Sequence, residues 1–510
     1  MTTQNSQPPQ ASAPPPLRSG FGPDLNKLIA SISTGCMRSM IAAFLLGVLA
    51  ALAMAPLHYW PLLLIGLGGA FVLFESLEKS WKIALIGWVF SFGYFLISLN
   101  WIGNALLVEG NDYKWAWPLA VSGLPALLAF FSAVTLYIAA RLKKTDAKLR
   151  NFALFCLALA AAEWLRGHLF TGFPWNLFGY GWGAQLEMLQ IAHIGTIYLL
   201  SALTIFWGAA IGFALLPAAS KRQKLSLLLA ALVTMSAVYA YGAHRLSHAQ
   251  LETLDELSVK IIQPNIPQEE KWDRRKAQDH FEMLLEMSKP DGTESAITLI
   301  VWPETATHFV FLENEFAQAL IRDTLGLYER DVYLVSGALL HDRENNTYTN
   351  SIAMLDRNAR MVAQYDKVRL VPFGEYIPFQ RWIPLETVTR FDGFVAGESL
   401  QTIAITENFS FSPQVCYEIL FPRKVVEQGS GSNSRANAII NVTNDAWYGI
   451  SAGPYQHFLK AKLRAIEEGV SVIRSANTGI SGYIDPYGRI VAKTTLNEQT
   501  TIHKKVIIKL

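Results

Sequence analysis

Residues 297–305 read Ile-Thr-Leu-Ile-Val-Trp-Pro-Glu-Thr, an apolar, β-branched run that stops at a proline and an acid. Such a run is typical of a buried strand. Similar runs recur at 259–262 and 438–442, and stretches with helical periodicity at 279–288 and 456–468 alternate with them. The alternation predicts an α/β domain in the second half of the chain.

The end of the chain continues this pattern with strands that follow one another closely. Short β-rich runs occupy 470–475, 482–485 and 489–492, and 504–510 reads as a final strand. Strands joined by such short connections pair antiparallel, whereas those separated by helices pair parallel. We therefore expect a mixed sheet, and we assign residues 251–510 to this domain.

Residues 25–250 are far more apolar and predict a membrane domain of about seven transmembrane helices. The whole chain of 510 residues is 51% hydrophobic and only 16% charged, which is too apolar for a soluble protein of this size. Residues 1–24 are rich in Pro, Ser and Gln and predict a disordered tail. Each apolar segment is close to the ~20 residues that span a bilayer. The segments are 39–57, 61–77, 83–103, 115–140, 151–170, 188–216 and 225–245, the first two forming a tight hairpin.

The loops between these segments predict the orientation of the protein. Positive charge is concentrated in the second, fourth and sixth loops, whereas the other loops carry little beyond Lys114 and Arg166. The positive-inside rule then places the even loops and the N-terminus in the cytoplasm. An odd number of crossings leaves the α/β domain on the outer side, in the periplasm. The positive loops contain Lys79 and Lys82, then Arg141, Lys143, Lys144, Lys148 and Arg150, then Lys221, Arg222 and Lys224.

Three side chains of the α/β domain stand out because each follows a strand-like run: Glu304, Lys367 and Cys416. Taken singly, each has a simpler explanation, as a surface turn acid, a solvated loop cation or a buried structural thiol. Cys36 and Cys156 lie in apolar segments, so Cys416 is the cysteine that stands alone in the polar half.

Together the acid, the amine and the thiol have a coherent chemistry. A free thiol with a pKa of about 8.5 needs a base or a positive neighbour to attack at neutral pH. A carboxylate serves as that base if burial raises its pKa, and a lysine favours the thiolate and an oxyanion. A pairing of Cys416 with His308 or His457 stays open as an alternative.

Two neighbouring segments are interpreted structurally. Residues 419–427 predict a helix, which would place Cys416 at a strand-to-helix turn where a thiol pKa is lowered. Asn444 and Asp445 follow the strand at 438–442, and capping of a helix or turn is the simpler explanation for both.

Several motifs carry a resemblance to a known family. Trp-Pro-Glu at 302–304, Asp-Lys-Val-Arg-Leu-Val-Pro-Phe-Gly-Glu at 366–375 and Cys-Tyr-Glu at 416–418 resemble the nitrilase superfamily. With the upstream membrane segments, the chain resembles the apolipoprotein N-acyltransferases from about residue 39 to near its C-terminus. The resemblance extends to 100–101, 171–175, 263–268 and 271–273.

This resemblance implies a fold and a set of site residues. The fold would be a four-layered αββα sandwich on a multi-pass α-helical membrane base. Glu304 would be the general base, Lys367 the cation that stabilises the intermediate and Cys416 the nucleophile. No cofactor or metal is implied, and a monomer is expected. Glu375, Tyr417 and Glu418 would support the triad, and Trp272 and Trp447 would line the substrate region, although packed core aromatics explain these two almost as well.

The resemblance also implies a ping-pong reaction. Cys416 would take a fatty acyl group from a phospholipid as a thioester, and the α-amino group of the N-terminal S-diacylglyceryl cysteine of an apolipoprotein would then accept it. We expect apolar residues near 379–394 to form a lid close to the bilayer. Relatives usually end with a further membrane helix, which this chain lacks, so its C-terminus is expected in the periplasm. The lid residues are Phe379, Trp382, Ile383, Phe391 and Phe394.

Three other classes of protein were weighed. The net charge of +2, without a basic stripe, excludes nucleic-acid binding. A membrane-tethered amidase would share the triad and the fold but use water as the second nucleophile. A transporter would carry more ionisable residues inside its spans. Glu163 is the clear candidate there, and pairing with Arg166 in helix packing explains it better.

Overall fold

The computed structural model describes residues 35–108, 113–271, 273–307, 309–376, 393–427 and 435–510. The N-terminal half of the described chain contains seven helices of 16 to 27 residues. They are α1 (Cys36–Ala51), α2 (Trp60–Ser76), α3 (Ser80–Ser98), α4 (Trp117–Leu142), α5 (Lys148–His168), α6 (Ala192–Ala214, broken at Gly195 and Thr196) and α7 (Lys221–Ser247).

Among the described residues, α3, α4, α6 and α7 are long and apolar enough to cross a membrane, and α1 and α2 are shorter apolar helices. A tight turn joins α1 to α2, with the backbone amide of Tyr59 donating to the carbonyl of Leu52 at 3.1 Å. The predicted hairpin is therefore confirmed. Glycines bring α2 and α6 together, because a Cβ added to Gly212 would lie only 2.2 Å from the carbonyl oxygen of Gly68.

The second half forms two six-stranded mixed sheets, with the orders β12-β1-β2-β3-β4-β5 and β11-β10-β9-β8-β7-β6. Strands β1, β2 and β3 run parallel, as do β7, β8 and β9, and the outer pairs are antiparallel. The strands are β1 (Leu251–Gln263), β2 (Ile297–Trp302), β3 (Asp331–Asp342), β4 (Thr347–Leu355), β5 (Met361–Asp366), β6 (Ile403–Ala404), β7 (Ser410–Val415), β8 (Ala438–Thr443), β9 (Ser471–Ala476), β10 (Gly482–Ile484), β11 (Ile490–Lys493) and β12 (Thr500–Lys509).

The four layers of the predicted αββα sandwich are present. One core lies between the sheets and contains Val301, Val415 and Ile440. A second core packs α8 (Ala277–Met287) and α9 (Glu315–Gly326) on the first sheet, and a third packs α10 (Ala452–Glu468) on the other. The helices predicted at 279–288 and 456–468 are thereby confirmed. Alternate residues of each strand face the two cores, so both faces of each sheet are covered.

The helix predicted at 419–427 is wrong. A 3₁₀ helix covers only Cys416–Leu420, and Phe421 is extended, with φ −89° and ψ 112°. Pro422 follows it and disfavours the α conformation in the preceding residue, so the helix cannot continue. The loop that holds Cys416 is therefore a compact turn.

The sandwich and the helical half share one apolar core. Leu420, Phe421, Leu459 and Leu463 from the sandwich belong to the same buried cluster as membrane-domain residues such as Phe178. The short turn after β7 and helix α10 therefore rest directly on the membrane helices.

Candidate active site

Glu304 lies just beyond the carboxyl end of β2 with only 7% of its surface exposed. Its Oε1 accepts a hydrogen bond from Nδ2 of Asn350 at 2.8 Å, and its Oε2 accepts one from the backbone amide of Asn444 at 2.8 Å. The backbone of Glu304 packs so closely on β3 that a Cβ at Gly337 would lie 2.5 Å from its Cα. The carboxylate is thus held by two donors, one inside β4 and one just after β8.

Lys367 follows β5 and is fully buried beside two carboxylates. Its Nζ lies 2.8 Å from Oε1 of Glu375 and 3.6 Å from Oε1 of Glu304. Burial alone would lower the pKa of Lys367, but the charges of Glu375 and Glu304 raise it above its ordinary value. The ammonium form is therefore the resting state.

Cys416 follows β7, is 8% exposed and has a left-handed backbone with φ +48°. Burial raises the pKa of its thiol, and the carboxylate of Glu304 raises it further, whereas Lys367 lowers it. The resting sulfur is accordingly a thiol that needs a base before it can attack. The predicted lowering of the thiol pKa by a following helix is wrong, because that helix is absent.

Glu418 ties the Cys416 loop to the Lys367 loop. Its Oε2 accepts from the backbone amide of Val415 at 2.8 Å, and its Oε1 accepts from the amide of Val368 at 2.8 Å and from the Tyr365 hydroxyl at 2.8 Å. The side chain is 1% exposed. A buried carboxylate with this many donors fixes the distance between the two loops.

Tyr417 points away from the sandwich toward the membrane domain. Its hydroxyl donates to the carbonyl oxygen of Gly172 at 3.1 Å, and its ring meets Phe421 edge-on at 5.3 Å between centroids. Gly172 lies in the 171–175 segment that carried part of the resemblance. The residue after Cys416 thus anchors the site to the helical base.

Two residues of this cluster were missed by the sequence analysis. Asn350, in the middle of β4, donates from one Nδ2 to both Glu304 and Glu375 at 2.8 Å. Lys271 is 5% exposed, and its Nζ donates to the backbone carbonyl of Glu304 at 3.1 Å. Burial lowers the pKa of Lys271 to about 8, against the opposing effects of Glu304 and Cys416. Lys271 lay in the 271–273 motif, which was a usable signal; Asn350 had none.

The alternative Cys–His pairing is not formed by His457. Its Nδ1 lies 2.7 Å from Oδ1 of Asp445 and its Nε2 lies 3.3 Å from the backbone carbonyl oxygen of Cys416. Both ring nitrogens therefore face other atoms than the thiol. His308 lies outside the described residues.

The capping interpretation holds for Asn444 but not for Asp445. Asn444 does cap its turn, accepting from the amide of Ala446 at 3.4 Å. Asp445 is 1% exposed and binds Arg474 at 2.8 Å, so simple capping is the wrong explanation for it. A buried aspartate requires such a partner, which local sequence does not reveal.

The expected substrate-lining residues lie only partly within the described chain. Trp447 is half-buried in the 3₁₀ helix Asp445–Tyr448, whereas Trp272 lies outside the described residues. Of the lid positions, Phe394 is described, and its amide donates to the carbonyl of Glu375 at 3.0 Å. Phe379, Trp382, Ile383 and Phe391 lie outside the described residues.

One group of potential metal ligands occurs in the described residues, far along the sandwich from Cys416. Asp291, Glu294 and His503 place ligand atoms within 4.8 Å of one another. Lys260 already pairs with Asp291 at 3.1 Å, so a cation is present there as an ammonium group. The cluster is consistent with a structural ion-pair network.

The two halves of the chain match two different families of known proteins. Residues 46–210 match the apolipoprotein N-acyltransferase N-terminal domain, and residues 259–507 match the carbon-nitrogen hydrolase family. Among solved structures, an amidase from Nesterenkonia sp. AN1 is similar, with 15% identity, a TM-score of 0.36 and coverage of 49% of this chain and 90% of that one. The family match identifies residues 259–507 as a carbon–nitrogen hydrolase domain.

Whole-length relatives narrow this class to one family. Apolipoprotein N-acyltransferase from Brucella melitensis is 40% identical over 483 residues, covering 90% of this chain and 88% of the relative. That from Rhizobium rhizogenes is 36% identical over 490 residues, covering 91% and 89%. The chain therefore belongs to the apolipoprotein N-acyltransferase family, and it is a membrane-associated acyltransferase.

Proposed function

We propose that Glu304, Lys367 and Cys416 form the catalytic triad of this acyltransferase. One observation carries the proposal: a buried thiol follows β7 within electrostatic range of a lysine and a glutamate whose Nζ and Oε1 are 3.6 Å apart. Burial keeps the sulfur protonated at rest, so the adjacent carboxylate has a proton to remove. Lys367 stays charged and supplies the positive group that an oxyanion needs.

The first half-reaction consumes a phospholipid. Glu304 accepts the thiol proton, and the sulfur attacks the carbonyl carbon of an acyl ester. The tetrahedral oxyanion then collapses beside Lys367, and the carbon–oxygen bond of the ester breaks. The leaving alkoxide takes the proton back from Glu304, which yields a lysophospholipid and a Cys416 thioester.

The second half-reaction transfers the acyl group to an amine. The family name of the relatives points to an apolipoprotein as acceptor, and we propose the α-amino group of its N-terminal S-diacylglyceryl cysteine. The amine attacks the carbonyl carbon of the thioester while Glu304 accepts a proton from it. The carbon–sulfur bond then breaks, and the leaving thiolate takes that proton, so the products are the amide and the Cys416 thiol. Both substrates are anchored in lipid, which accounts for a sandwich that shares its core with apolar helices.

We further propose an inner-membrane topology with a cytoplasmic N-terminus, seven crossings and a periplasmic sandwich. Contacts between the C-terminal end of α2, where the second loop begins, and the fourth loop support one common face for the positive charges. Lys143 caps α2 by donating to the carbonyl of Leu77 at 2.8 Å, and its neighbour Lys148 pairs with Glu75. The same proposal includes a monomer as the active unit.

Intact mass spectrometry after exposure to phospholipid tests the triad. The wild-type protein should gain the mass of one acyl chain, and hydroxylamine should remove it because thioesters are labile to that nucleophile. Cys416→Ala should gain nothing, whereas Cys156→Ala should behave as wild type. A synthetic diacylated lipopeptide with a free α-amine should then clear the adduct as an amide. Release of free fatty acid alone would show a hydrolase instead.

A further inference from the structure

Two adjacent residues of α10 contact different parts of the protein: Gln456 contacts the membrane domain and His457 contacts the loop that holds Cys416. Gln456 is buried among membrane-domain segments: its Oε1 accepts from Nε1 of Trp101 at 3.1 Å and from Nε1 of Trp175 at 2.8 Å. Its Nε2 donates to the carbonyl oxygen of Ser98 at 3.0 Å. This one amide therefore fixes α10 against two separate parts of the helical base.

The next residue, His457, contacts the nucleophile loop. Its ring is completely buried, with Nε2 3.3 Å from the carbonyl oxygen of Cys416 and Nδ1 2.7 Å from Oδ1 of Asp445. Carbonyl and carboxylate oxygens only accept hydrogen bonds, so only a doubly protonated ring makes both contacts at once. Burial and the charge of Arg474 lower the pKa of His457, which favours the neutral ring. With its proton on Nε2 the neutral ring donates to the Cys416 carbonyl, and its Nδ1 accepts from Nη2 of Arg474 at 3.1 Å. The ring thus connects the Asp445–Arg474 pair to the backbone of Cys416.

Asp445 is itself held in place. Arg474 donates to its Oδ2 at 2.8 Å, and the hydroxyl of Thr443 donates to its Oδ1 at 3.2 Å. Burial alone would raise the pKa of Asp445, but Arg474 and His457 lower it to about 2, so the group is a carboxylate. The network therefore runs from Thr443 and Arg474 through Asp445 to the His457 ring and on to the Cys416 carbonyl.

The contact between His457 and the Cys416 carbonyl involves a strained part of the backbone. A φ of +48° is unfavourable for a residue with a Cβ and persists only where surrounding groups enforce it. The orientation of this peptide unit decides where the sulfur points relative to Lys367 and Glu304. A donor on the Cys416 carbonyl is one of the groups that hold the unit.

We propose that His457 is a positioning residue for Cys416, and that Gln456 fixes the position of His457 relative to the membrane helices. Helix α10 thereby aligns the sulfur with the helical base on which the lipid substrates are held. The inference rests on the proposed role of Cys416 as the nucleophile. It assigns no chemical step to His457, whose nitrogens face Asp445 and the backbone.

The test uses the full chain in detergent with Cys36→Ser and Cys156→Ala, so that Cys416 is its single thiol. The rate of alkylation by iodoacetamide and the rate of acyl adduct formation from phospholipid are both followed by intact mass. His457→Leu should slow both rates by about tenfold or more, because small displacements of a reacting atom are costly. His457→Gln, which keeps a donor near Nε2, should recover most of the loss.

Gln456→Leu should slow both rates in the same direction, although it does not touch Cys416. The matched control is Tyr455→Gln, an exposed position on the same turn, which should leave both rates within about twofold of the parent. Asp445→Asn provides a second probe of the ring, because it keeps the shape of the partner and removes its charge.

The outcomes separate the possibilities. If the parent alkylates normally but forms no acyl adduct, the proposed function fails, and the alkylation rates still decide the role of His457. Equal rates for His457→Leu and the parent would overturn the inference. So would losses in His457→Leu and His457→Gln that are equal and accompanied by equal falls in melting temperature, since these would show a purely structural role.

Discussion

The Nζ atom of Lys367 lies 2.8 Å from Oε1 of Glu375, closer than the 3.6 Å that separates it from Oε1 of Glu304. The second oxygen of Glu375 is occupied by the backbone amide of Val371 at 2.8 Å. Glu375 is thus the principal counter-charge of the ammonium group, which agrees with the proposal that Glu304 exchanges a proton with the thiol.

Replacing Glu375 by Gln should therefore slow acylation without abolishing it. The variant keeps a hydrogen-bonding oxygen but lets the pKa of Lys367 fall and draws Lys367 toward Glu304. We expect acyl adduct formation to be about ten- to a hundredfold slower. The comparison is with Glu313→Gln, which removes an acid from a surface ion pair with Arg343 and should have no effect on the rate.

Asn350 should prove essential to the arrangement of the two acids. Asn350→Ala removes the amide that donates to both Glu304 and Glu375, so each carboxylate loses a buried donor. We expect the free energy of unfolding to fall by about 1–3 kcal/mol and acylation to slow by at least about tenfold. Asn345→Ala, in an exposed turn, is the control. An unchanged acylation rate in Asn350→Ala would contradict the assigned contacts.

Lys271 should give the reaction a pH dependence. Its lowered pKa, about 8, means that the ammonium is present below pH 8 and lost above it. If this charge stabilises the Cys416 thiolate, wild type loses that help at alkaline pH, whereas Lys271→Arg stays charged. The ratio of the acylation rates, variant over wild type, should rise by up to about tenfold between pH 7 and 9. A ratio of acylation rates that does not change with pH would show that the charge of Lys271 does not stabilise the thiolate.

The topology predicts which introduced thiols are accessible. With the native cysteines replaced, Asn345→Cys on the sandwich should react with a membrane-impermeant maleimide in intact spheroplasts. Lys144→Cys, in the positive loop between α4 and α5, should react only after permeabilisation. The opposite pattern would invert the proposed orientation.

Much of this arrangement was predictable because it depends on residues that are close together in the sequence. The run ending at Glu304 combines strand propensity with a proline stop, and parallel strands deliver the residues after them to one edge of a sheet. Lys367 after β5 and Cys416 after β7, in the other sheet, likewise follow strand-like runs, and the motifs of a known family grouped the three residues. The apolar segments likewise predicted each long helix of the N-terminal half.

The rest depends on contacts between distant residues. Asn350 looks like any polar residue of a strand until β4 pairs with β3 and β5. Asp445, His457 and Arg474 each resemble a surface residue in isolation, and only the folded chain pairs them out of water. The helix expected at 419–427 failed for a local reason, since Pro422 outweighed the apolar pattern around it.

The continuous interior beneath Leu420, Phe421 and Leu459 has a consequence for how such proteins diverge. A recombinant chimaera can join the helices of one relative to the sandwich of another. Its shared core would then be poorly packed, because side chains from both parents must fit together there. Gene fusion alone would rarely yield a working enzyme. A substitution in this core on one half needs a compensating substitution on the other, so the two halves must evolve together.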